Sequence, residues 1–117
     1  MSQAALKRFT SMAETAQLQI DKFKEELDTD PWQALKWSTK LFEAVATLSV
    51  AKMIVYSFTE RAGETVATIE EVRQLLMSRV LHRSKYPPQS TSPTSNLVEQ
   101  YELAAYAEAL EELGYLD

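Results

Sequence analysis

The sequence predicts an all-α protein, a compact four-helix bundle whose first two helices form a long antiparallel hairpin, completed by two shorter helices. Three observations carry this expectation. Apolar residues recur every three or four positions along most of the chain, the spacing of helices with one buried face. Only two glycines, Gly63 and Gly114, occur in 117 residues, so little in the chain favours breaking a helix. Helix-start residues precede the apolar runs, and no stretch alternates with the period of two that a half-buried strand requires. With 45% hydrophobic and 25% charged residues, the chain has the composition of one folded domain.

The first helix is expected over residues 3–28. Its apolar stripe is Ala5, Phe9, Met12, Ala16, Ile20, Phe23 and Leu27. Part of that stripe repeats at eleven residues rather than seven, which favours a nearly straight helix over a regular coiled coil. "DTDPWQ" then marks a boundary. Asp30 suits the N-cap, Pro31 the first helical position, and Gln33 the reciprocal place of a capping box.

The second helix is expected over residues 31–61, with Gly63 as its C-terminal stop. One side begins with Lys36, Lys40, Glu43 and Thr47 and continues as Val50 or Ala51, Ile54 and Phe58. A face that starts wet ends apolar, so the second half of this helix is hydrophobic nearly all round and should be buried on every side. Glu43 and Lys52 interrupt the run, which leaves no uncharged stretch near the ~20 residues a membrane span needs. A buried helix, not a membrane anchor, is the expectation.

The third helix is expected over residues 69–83, opened by a capping box of Thr68 and Glu71 and cored by Ile69, Val72, Leu76 and Val80. A loop follows over residues 85–95, rich in proline and serine. The fourth helix is expected over residues 97–113, capped by Asn96 with Glu99 and ended by Gly114. It carries two apolar stripes, Leu97, Tyr101 and Ala104 on one side and Leu103, Tyr106, Leu110 and Leu113 on the other.

Several chemistries lack their residues. The chain has no cysteine and one histidine, which removes disulfides, thiolate nucleophiles, zinc fingers and iron–sulfur clusters and fits a reducing cytoplasm. The Glu-x-x-His pairs of di-iron bundles, the Gly-x-Ser-x-Gly elbow and phosphate-cradling glycine loops are also missing from the sequence. No metal or other cofactor is expected, and no enzymatic activity. The N-terminal "MSQAALKRF" shows no apolar core of a secretory signal.

What remains is surface. Arg79, His82 and Arg83 stand at i, i+3 and i+4, and Lys85 and Tyr86 extend them into the loop. Such a basic, aromatic-tipped patch can hold phosphate or an acidic partner. Cations in a helix's last turn also satisfy its dipole with no partner at all, and the Arg83 stem can pack on apolar surface. From residue 97 onward there are six acidic residues and no basic one, whereas residues 1–63 carry eight of each sign. The acidic face of Glu99, Glu102, Glu108, Glu111 and Glu112 can therefore steer association with a basic surface.

The all-round apolar segment and the two-sided fourth helix both call for extra neighbours. A candidate oligomer interface is Val50, Ala51, Ile54, Phe58, Leu103, Tyr106 and Leu110, for a homodimer or an obligate partner, with a monomeric irregular bundle as the equal alternative. Of the tryptophans, Trp32 and Trp37 do not share a face squarely, so one of them is a candidate exposed anchor. The function expected is non-enzymatic: an accessory subunit, adaptor or inhibitor that binds another protein, a class that includes many small acidic phage and mobile-element regulators. The alternative is an accessory protein of a ribonucleoprotein or DNA complex that touches phosphates through Arg79 to Tyr86. A net charge of −5 weighs against general nucleic-acid binding.

Overall fold

The computed structural model describes the backbone of residues 2–36, 38–59, 63, 65–85 and 93–116, and the side chains of these except 2, 84, 93–98, 115 and 116. Among the described residues all regular structure is helical: α1 (Ser2–Thr29), α2 (Pro31–Lys36), α3 (Ser38–Phe58), α4 (Ile69–Lys85) and α5 (Pro93–Leu116). The all-α expectation holds.

Local chemistry explains the junctions. Asp30 takes over from α1 by donating its N–H to the Glu26 carbonyl at 2.7 Å, then accepts the Gln33 N–H on its carboxylate at 3.2 Å. It is thus the last residue of one helical path and the N-cap of the next. The single helix expected over residues 31–61 is described as two, α2 and α3; residue 37 between them lies outside the described residues. Past α3, the Ser57 carbonyl accepts the Ala67 N–H at 3.1 Å, so the linker returns to satisfy an orphan carbonyl of the last turn. Gly63 sits within that linker at φ 78°, a conformation that side chains with a Cβ rarely adopt. The capping box is present: the Thr68 N–H donates to Glu71 Oε1 at 3.2 Å, and the Glu71 N–H donates to Thr68 Oγ1 at 3.1 Å.

Helix α3 is the hub, packed against α1 and α5, while α5 also packs against α4. The main core joins Ala5 and Phe9 of α1, Val50, Ile54 and Phe58 of α3, Ile69, Val72 and Leu76 of α4, and Ala105, Ala109 and Leu113 of α5. A second buried set, Ala16, Ile20, Ala34, Ala44 and Ala46, lies along α1, α2 and α3. Its small side chains suit close helix approach. The molecule measures 46 × 32 × 28 Å, and its long dimension is about that of α1 alone, ~42 Å at 1.5 Å per residue.

Some expectations need correction. Lys85 belongs to α4 and residues 93–96 to α5, so the loop is shorter than residues 85–95 at both ends. Asn96 is therefore inside a helix and not its cap; Pro93, with φ preset for a first turn, starts α5 earlier. Gly114 does not end α5, which runs on to Leu116. The buried line of α5 is Ala105, Ala109 and Leu113, and Ala104 is exposed. Alanines give little hydrophobic signal, so that line is hard to see in the sequence. Leu27 ends the α1 stripe exposed.

Candidate interaction surfaces

Helix α4 carries apolar and basic residues on one side. By helical steps of 100°, Arg73, Arg79 and Arg83 fall on the same side as Ile69, Val72 and Leu76. That side meets the core in the first turns and α5 beyond them. Arg73 donates to the Leu113 carbonyl at 3.4 Å and to Glu70 at 3.1 Å. Arg79 donates to the Tyr106 hydroxyl at 3.1 Å, with its guanidinium 5.9 Å from the centroid of that ring. Arg83 pairs with Glu99 at 3.4 Å. The basic patch and the acidic helix, expected as two separate partner surfaces, thus face each other within one chain. Each contact is solvent-accessible and contributes no more than about 1 kcal/mol, yet together they fix the register of α4 on α5.

The seam encloses a cleft of about 370 Å³, with Arg79, His82 and Arg83 on one wall and Glu99, Glu102 and Tyr106 on the other. Glu99 Oε2 is buried there without a hydrogen-bond donor. At the other end of α5, Glu112 receives two bonds from Arg8 of α1, Nε to Oε2 at 2.9 Å and Nη2 to Oε1 at 3.0 Å. Those bonds hold the Glu112 carboxyl below its ordinary range and raise the Arg8 guanidinium further above its own. Of the acidic face, Glu102 is half-buried, and Glu108 and Glu111 are exposed. Tyr86, the aromatic tip of the expected patch, lies outside the described residues.

The candidate oligomer interface is largely interior. Val50, Ala51, Ile54 and Phe58 are buried by this chain's own helices, so none of the four is left for a second copy. Tyr106 and Leu110 are half-buried against the same core, and Leu103 is half-buried beside the seam cleft. The wet-to-apolar face of the second expected helix is observed: Lys36, Lys40 and Glu43 are exposed, and Val50, Ile54 and Phe58 are not. By length and composition alone α3 could cross a membrane; here six of its residues are buried against neighbouring helices.

The surface that sequence reasoning missed is the outward side of α4, where Met77 and Leu81 are 48 and 64% exposed; Leu75, 40% exposed, lies on the other flank of the helix. Met77 and Leu81 line a shallow concavity with Gln74, Ser78, His82 and Lys85. The signal was present in three apolar residues lying off the Ile69–Val72–Leu76–Val80 stripe. Trp32 is 79% exposed on α2; Trp37 lies outside the described residues. Among the described residues no cluster of three or more metal-ligating side chains occurs, and no polar or charged residue is buried. Comparison with protein-family models, curated proteins and solved structures finds no match.

Proposed function

We propose that this protein is a non-enzymatic interaction module, an accessory subunit, adaptor or inhibitor, that works by binding another protein through the outward face of α4. The observation that carries the reading is an apolar pair left outside on that helix. Ile69, Val72 and Leu76 fill the core and Arg79 and Arg83 reach α5, while Met77 and Leu81, one turn apart, stand exposed. A helix whose only role was to close the bundle gains by the opposite placement, because each exposed large apolar side chain forgoes on the order of 1 kcal/mol of burial. A partner that covers these residues recovers that term.

The same reading takes the scaffold as a four-helix bundle, with α1 antiparallel to the α2–α3 segment. Its support is that Ala5 and Phe9, near the start of α1, share a cluster with Ile54 and Phe58, near the end of α3. The sole histidine, His82, is exposed on the helix that carries Arg79 and Arg83, a setting that favours a surface role over catalysis. The cysteine-free chain suits a reducing, cytoplasmic setting. A phosphate-contacting role would draw on Arg79 and Arg83, and both guanidiniums are directed at α5.

The test is affinity capture from the native host, with and without nuclease, comparing the protein with its Met77→Ser/Leu81→Ser variant. The expected result is a stoichiometric, nuclease-resistant partner that the variant loses while keeping its helical signal. Equal capture by both proteins would remove α4 from the reading. Loss of the partner on nuclease treatment would put the phosphate-contacting alternative first.

A further inference from the structure

We propose that the occupant of the outward face of α4 is an acidic amphipathic helix of a different protein, an inference that rests on the interaction-module reading above. Three properties of the face point to that chemistry. The first is its shape. Gln74, Met77, Ser78, Leu81, His82 and Lys85 recur at steps of three and one, the spacing by which one helix receives the side-chain ridges of another. Strands are absent among the described residues, and the backbone groups of a helix interior are already bonded, so an extended peptide finds no edge to join.

The second property is charge. From Val72 to Lys85 the chain carries Arg73, Arg79, Arg83 and Lys85 and no carboxylate, although its net charge is −5. Arg79 is exposed at the margin of the face, held by Tyr106, and His82 and Lys85 line the concavity beside Met77 and Leu81. An apolar seam with a cationic margin is complementary to a helix that presents leucine-like residues flanked by carboxylates. Glu70 and Glu71 mark the opposite end of α4, so such a helix seats toward the C-terminal half.

The third property separates a foreign helix from a second copy. The most acidic helix of this chain, α5, turns Ala105, Ala109 and Leu113 into its own core, and Glu99 and Glu112 are engaged by Arg83 and Arg8. Among the described side chains of α5 no large apolar residue is exposed to go with its carboxylates. Helix α1 exposes Leu18, between Glu14 and Asp21, and Leu27, but nine residues apart they fall on opposite sides of the helix and form no seam. Self-association also brings together two chains of the same net sign.

The experiment uses the full chain with two synthetic helical peptides that share leucines at i, i+3, i+4 and i+7. One is flanked by glutamates and the other by lysines. Binding is read by fluorescence anisotropy and by the NMR shift of the Met77 methyl. The glutamate peptide is expected to move that methyl and to bind at least about tenfold tighter than the lysine peptide. Its affinity should fall with added salt. His82→Glu/Lys85→Glu should weaken it about tenfold, and Met77→Ser/Leu81→Ser should abolish it with the circular dichroism unchanged. Equal binding of the two peptides, or none, overturns the acidic-helix proposal. If native capture still depends on Met77 and Leu81 in that case, the interaction-module reading stands without it. Binding to phosphatidylserine vesicles in place of the peptide, or a sedimenting dimer that Met77→Ser/Leu81→Ser dissolves, overturns the proposal in favour of a lipid surface or a second copy.

Discussion

Ile54→Ala decides whether the apolar half of α3 is the interior of one chain or the interface between two. Ile54 is fully buried and sits in the cluster that joins α1, α3, α4 and α5. Truncation to alanine removes three carbons, and at about 0.8 kcal/mol per buried carbon the transfer term alone is about 2.4 kcal/mol. Packing from four helices leaves little freedom to collapse into the space, so a cavity term adds to this and the total is about 3–4 kcal/mol. For a domain of this size that is a large share of a stability of roughly 5–15 kcal/mol. Urea unfolding, followed by circular dichroism at two protein concentrations about fifty-fold apart, reads the effect. With a slope of about 1.5 kcal/mol per molar urea, the midpoint should fall by about 2 M, equally at both concentrations. A midpoint that rises with protein concentration, or a loss below about 1 kcal/mol, would refute burial within a single chain, because an interface residue couples stability to association.

Three further outcomes follow from local chemistry. Thr68→Ala removes one half of the reciprocal cap on α4 and should cost about 1 kcal/mol in urea unfolding, with Thr68→Gly costing less. Gly63→Ala should cost about 1 kcal/mol from the positive φ alone, since no heavy atom lies within 4 Å of an added Cβ; a neutral result would mean the residue does not hold that conformation. Arg8→Ala should cost about 0.5–1 kcal/mol at neutral pH, as expected for a two-bond pair open to solvent. Because Arg8 lowers the Glu112 carboxyl in the folded state, the contribution is fully present above the ordinary carboxylate range. It fades as the pH falls through the folded value of Glu112. Urea midpoints of the two proteins should therefore converge in acid and separate above it, and a constant difference would refute the pairing.

The parts of the fold that could be read from the sequence are those fixed within a few residues. Thr68 and Glu71 announce their cap because both partners lie in one turn, and Asp30 with Pro31 does the same for α2. Ala5, Phe9, Ala16 and Ile20 declare the buried side of α1 by spacing alone. What stayed hidden depends on which helix lies beside which. Leu27 continues the α1 stripe but is exposed, and nothing in the spacing marks where a buried side stops. Arg83 and Glu99 read as members of two separate surfaces, since sequence separation says nothing of pairing across two helices. Asn96 with Glu99 satisfies the capping pattern, and it failed because Pro93 offers an earlier start and Arg83 holds Glu99.

The α4–α5 seam shows why charge pattern alone says little of what a helix presents to solvent. Arg79 and Arg83 read as a patch because they are close in sequence, and Glu99, Glu102 and Glu112 read as a face for the same reason. In a chain with twelve basic and seventeen acidic residues, unlike charges on neighbouring helices attract each other first, and what reaches solvent is the remainder. Here the remainder differs in kind. Arg73 and Arg83 are half-buried against α5 and Arg79 reaches Tyr106 from an exposed position, while Met77 and Leu81 are left outside beside His82 and Lys85. The contacts of Arg73, Arg79 and Arg83 hold that helix against α5, and on the proposed reading the resulting orientation sets which apolar residues a partner would cover. Arg79→Ala with Arg83→Ala should therefore weaken partner binding even if neither side chain touches the partner, by loosening the register of α4 on α5. Hydrogen exchange separates this route from direct contact. Faster exchange along α4 in the unbound variant supports positioning through the seam, and unchanged exchange with weakened binding would place the two arginines in the interface itself.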